Sequence, residues 1–123
     1  MSLVNLAAIR NAGFLRLPMN DNIAALNASS QSTAYCMPGQ LNRVTSSVAN
    51  GSVVLNSILT EEQNGMVILI NDSANAVLVY PTTGEKQNGT LNASLSVAAA
   101  ATAVFFPVYN DQGGPDWRSA VIS

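Results

Sequence analysis

The chain has 123 residues, 48% of them hydrophobic, which is the length of one domain with apolar material enough for a core. Only 10% are charged, against about 25% in an average globular protein, so the surface of a free monomer is poorly protected against association. The net charge is −2, the cations Arg10, Arg16, Arg43, Lys86 and Arg118 are scattered, histidine is absent and Cys36 is the single cysteine. That set excludes a basic patch for nucleic acid, an internal disulfide, a Cys–His or Ser–His–Asp centre and a zinc site.

In chain order, Leu3, Leu6, Ala7 and Arg10 suggest a short helical turn that stops at Gly13, and Phe14, Leu15, Arg16 and Leu17 read as a strand that Pro18 ends. The first ten residues lack the basic start of a signal peptide, and Arg10 interrupts their apolar run. Asn20 or Asp21 caps a brief helix through Ala25 and Leu26, residues 29–32 are a polar link, and residues 33–37 form a short strand ended by Pro38 and Gly39. No strong periodicity holds, so residues 1–40 are read as an irregular N-terminal arm.

From Leu41 the grammar is that of strands and turns, and residues 41–123 are read as one β module. Strands are expected at 43–48, 52–55, 66–71, 76–80, 94–98, 101–109 and 117–122, all short and rich in β-branched or aromatic residues. Asn50-Gly51, Asn64-Gly65, Thr83-Gly84, Asn88-Gly89 and Gly113-Gly114-Pro115 mark the reversals, since Asn and Gly accept positive φ. Residues 60–63 are expected to make one capped helical turn. The uncharged stretch 87–110 is broken by Asn88, Thr90, Asn92, Ser94, Ser96 and Thr102, so it is not read as a membrane helix. The spacing predicts an all-β fold, an antiparallel sandwich or barrel.

Residues 66–70, 76–80 and 103–109 are apolar at both odd and even positions. A strand with one wet face should alternate, so the second face must also be covered, by a neighbouring subunit or by the N-terminal arm. The neighbour is the favoured cover, with Met66, Ile68, Ile70, Phe105 and Tyr109 as the oligomer interface.

No catalytic, cofactor or metal site is read from the sequence. The acids Asp21, Glu61, Glu62, Asp72, Glu85, Asp111 and Asp116 are dispersed and read as solvated, and residues 110–116 lack the ligand alternation of a calcium loop. Cys36 reads as a small buried apolar residue, with an intermolecular bridge or reactive thiol as the alternative. Trp117 reads as a core or interface anchor, with a sugar-stacking platform as the alternative.

The series from Leu41 to Ile122 resembles a β-rich module of tailed-phage structural proteins. The likeness rests on Val53-Val54-Leu55 after a turn, Gly65, a strand ending at Asn71, and Asn75-Ala76-Val77-Leu78-Val79-Tyr80-Pro81. It continues through Gly84-Glu85, Asn88-Gly89, an Ala-rich strand at 94–98, an aromatic strand and the lone Trp117. Gln87 departs from it, standing where the pattern has an apolar residue. The resemblance implies a β-sandwich or jelly-roll-like fold, usually trimeric, with a binding role and no active site. On that basis the expected function is that of a capsid decoration (cement) protein on the exterior of a virion head. The expected partners are further copies of itself and the major capsid protein, with no nucleic acid and no membrane. The arm residues Leu3, Leu6, Ile9, Phe14, Leu15 and Leu17 would dock to the capsid. The alternative is a receptor- or glycan-binding domain of a tail or fibre appendage, with Trp117 or Tyr80 exposed for stacking.

Overall fold

The structure is a computed structural model that describes residues 18–58, 65–110 and 114–122, the last two of the middle span by backbone alone. The described residues contain eleven strands and no helix. A seven-stranded sheet runs β1 (Met19–Ala25), β3 (Leu41–Ser47), β5 (Val67–Asn71), β10 (Thr102–Asn110), β11 (Gly114–Val121), β7 (Lys86–Gln87) and β8 (Thr90–Leu91). A four-stranded sheet runs β2 (Tyr35–Cys36), β4 (Gly51–Val54), β6 (Val77–Tyr80) and β9 (Leu95–Val97).

From β1 to β6 the chain alternates between the sheets, and each strand lies parallel to the previous strand of its own sheet. This is a solenoid-like winding. Met19 lies beside Leu41, a step of 22 residues, and Leu41 beside Ile68, a step of 27. The winding then stops: β9 pairs antiparallel with β6, and β10 antiparallel with β5, each sealing one sheet. The β10–β11 hairpin and the short β7–β8 hairpin extend the larger sheet.

The all-β expectation therefore holds, whereas a wholly antiparallel arrangement does not: five of the nine ladders among the described residues are parallel. Apolar patterning fixes which residues face inward but not the direction of the neighbouring strand, which the crossovers decide. The strands expected after Leu41 are all present within a residue or two, apart from β11, which starts at Gly114.

Two corrections concern the first forty residues. Residues 20–26 do not form a capped helix, because 19–25 are β1. Asp21 accepts the N–H of the next residue, Asn22, at 2.7 Å, and not that of a residue two or three further on as a cap would; Asn22 takes φ 57° and the result is a bulge in a strand. Nor does a boundary fall at residue 40. Ile23, Ala25 and Met37 are core residues, so 18–40 form the first coil of the solenoid and not an arm. The helical turn at 3–10, the strand at 14–17 and the turn at 60–63 lie outside the described residues.

Inward residues of both sheets share one core: Val44, Leu69, Ala103, Phe105 and Trp117 from the larger, Val53, Val77, Val79 and Val97 from the smaller. Asn71, fully buried at the end of β5, ties that strand to the turn after it and to the end of β9. Its Nδ2 donates to the carbonyls of Asn75, Val97 and Ala98, and its Oδ1 accepts from the Ser73 amide and hydroxyl. Turn chemistry follows the sequence, with Asn88 (φ 51°) and Gly89 (φ 85°) both left-handed between β7 and β8, as a tight hairpin requires.

Candidate assembly surface

In β5, Val67, Leu69 and Asn71 point inward and Ile68 and Ile70 outward; in β10, Ala103 and Phe105 are inward, Val104 and Phe106 outward. Registers carry the outward set across the sheet. Met19 pairs with Leu41, Leu41 with Ile68, Ile68 with Val104 and Val104 with Ala120, one apolar row over five strands. Met19 and Ala120 are exposed and the three between are half-buried. Beside this row Met66 is 37% and Phe106 48% exposed. Scattered exposed hydrophobics are ordinary, whereas here the outward apolar residues are aligned in one row across five strands.

The row is bounded by charge. At the β1–β3 end, Arg43 donates to Asp21 at 3.0 Å and to Asp72 at 2.7 Å, all three partly exposed. The Asn22 amide and then the Arg43 guanidinium hold the Asp21 carboxyl below the usual carboxylate range, and the two carboxylates push the Arg43 guanidinium up. At the β11–β7 end, exposed Arg118 pairs with Asp116 at 3.0 Å, and Lys86 stands beside Asp116 in register.

Other routes to association are blunted. β1 is an edge but carries the bulge at Asn22, and the remaining edge strands β2, β8 and β9 have two or three residues. The outer face of the smaller sheet is crossed by the loop after β1. The Ser30 amide donates to Ser52 Oγ, and Gln31 Nε2 donates to the Pro81 carbonyl and Asn92 Oδ1. Among the described residues, no hydrogen-bonded loop crosses the larger sheet in the same way.

Of the residues expected at an oligomer interface, Met66, Ile68 and Ile70 come together on this face. Phe105 does not: it is fully buried, because its position in β10 has the inward parity, and Phe106 is the outward aromatic. Tyr109 lies in β10, its side chain outside the described set. The docking residues Leu3, Leu6, Ile9, Phe14, Leu15 and Leu17 also lie outside it. Met19, Leu41, Val104 and Ala120 were missed; only the pairing registers reveal them.

Three other sites read from the sequence are corrected. Cys36 is not buried, for its strand is a two-residue edge; its Sγ donates to Asn56 Oδ1. Glu85 is not solvated: it is 4% exposed and accepts from Ser57 Oγ at 2.6 Å and the Ile58 amide at 3.1 Å. Asp116 is likewise buried, accepting from the Gly89 amide. Trp117 is a core residue at 2% exposure, which removes it as a stacking platform, and Tyr80 is half-buried. Gln87 fills its apolar position as a satisfied amide. It donates to the carbonyls of Val79 and Ala93, both at 2.9 Å, and accepts from Ser119 Oγ. Among the described residues, no three of His, Cys, Asp and Glu are grouped to hold a metal.

Comparison of the chain with protein-family models, curated proteins and solved structures yields no match.

Proposed function

We propose that this chain is a non-catalytic assembly protein of a phage particle, a capsid decoration protein that binds the outside of the head. The single observation behind this reading is the in-register apolar row on the outer face of the larger sheet. Copies associate through that face, and Leu3, Leu6, Ile9, Phe14, Leu15 and Leu17 reach the major capsid protein. A low surface charge suits a chain that works within an assembly. The mechanism is mass action: a protein that binds the completed shell and not its loose parts favours the shell. The glycan-binding alternative has lost Trp117 to the core.

Co-sedimentation of the full chain with expanded phage capsids tests the reading. The expected result is saturable binding that raises the temperature of capsid disruption. Full-chain protein that stays in the supernatant across the micromolar range would overturn it.

A further inference from the structure

We propose that two copies of this chain pack face to face through the apolar row about a two-fold axis, the Asp21 corner of each meeting the Arg118 corner of the other. This deepens the self-association in the proposed function and rests on that part of it.

The argument is one of charge and position. Asp21 and Asp72 outnumber Arg43 at one end of the row, an excess of one negative charge. Arg118 and Lys86 outnumber Asp116 at the other, an excess of one positive charge. The face is therefore dipolar with an apolar middle. β1 and β11 run in the same direction. Asp21 lies two residues beyond Met19 and Arg118 two residues before Ala120, the two ends of the row. The corners are thus diagonally opposite, roughly 19 Å apart across the strands and roughly 14 Å along them.

An axis lying in the plane of contact exchanges diagonally opposite corners when it is perpendicular to the line joining them and passes through the middle of the row at Ile68. Both corner contacts then form at once, the apolar centres meet, and the strands of the two sheets cross steeply, as in the orthogonal class of sheet packing. Such an interface is isologous: the contact of Asp21 with Arg118 occurs twice. Edge-to-edge pairing is disfavoured at the strands that end each sheet, since the bulge at Asn22 interrupts β1 and β2, β8 and β9 have only two or three residues.

Sedimentation equilibrium on the full chain tests this with two single charge reversals, Asp21→Lys and Arg118→Glu, both at exposed side chains. The expected result is a dimer that each reversal weakens roughly tenfold or more. An equimolar mixture of the two variants should regain the wild-type affinity, because in the mixed dimer both corners again oppose unlike charges. Rescue on mixing also shows that both variants are folded. If the chain dimerises, and Ile68→Asp abolishes this, but the reversals have no effect or do not rescue each other, the two-fold corner pairing is wrong and association through the face stands. A trimer overturns the two-fold axis in the same way. A chain monomeric at all concentrations overturns both the inference and the self-association it rests on, leaving the face to residues 1–17 or to the capsid.

Discussion

A buried primary amide has two N–H donors and an oxygen to satisfy, and Gln87 uses both kinds of group to hold β7 against Val79, Ala93 and Ser119. Gln87→Leu keeps the bulk but strands polar groups in the core, so it should cost about 2–4 kcal/mol in urea denaturation; a neutral result would show the amide to be replaceable packing. Asn71 is more demanding. Asn71→Ala should cost about 3–5 kcal/mol, and Asn71→Asp more at neutral pH, since it turns three donated bonds into a buried charge facing carbonyls. Asp21 makes a prediction about pH. Its folded pKa is depressed, so what it contributes to stability is present above the ordinary carboxylate value, near 3.9, and is lost as pH falls through the lower folded value. Arg43→Gln should move the Asp21 carboxyl upward in a carbon-13 NMR titration but not fully to that value, because the Asn22 amide, the larger cause, stays.

Strands were legible where their signals are local. β-Branched runs and Asn-Gly turns located β3 to β6 and β9 to β11, since both depend on a few consecutive residues. β1 was hidden, for its bulge at Asn22 leaves only Ile23 and Ala25 as an inward set, too short to outweigh a capping pattern. The assembly face was half legible. That 66–70 and 103–109 were apolar on both sides was plain, but when Val104 and Phe105 are equally apolar the sequence cannot say which faces the core. Glu85 and Gln87 were opaque, because their partners lie in other strands and loops. At this scale the tightest constraint is the corner entering β4. A Cβ on Gly51 would stand 2.1 Å from the Ala25 carbonyl oxygen, a backbone atom that cannot step aside. Gly51→Ala should therefore cost about 3 kcal/mol, read as a lower urea midpoint, whereas an unchanged midpoint would mean that β1 and β4 can separate freely.

Across the whole molecule, parallel coils join residues some twenty places apart, and the β5–β10 ladder joins residues more distant still. Such pairing is slow to find, so refolding in stopped flow should take milliseconds to seconds and not the microseconds of a helical bundle. The seal on the winding also has a direction in time. Synthesis runs from the N-terminus, so the coils through β6 emerge from the ribosome before β9 and β10 exist to cover β6 and β5. Until then each nascent chain carries two bare strand edges, and on a crowded message the next chain along offers the same edges to pair with. A pause in translation between Tyr80 and Thr102 would thus lower the soluble yield, and synonymous codons alone, with no change of residue, would decide how much of the protein survives its own manufacture.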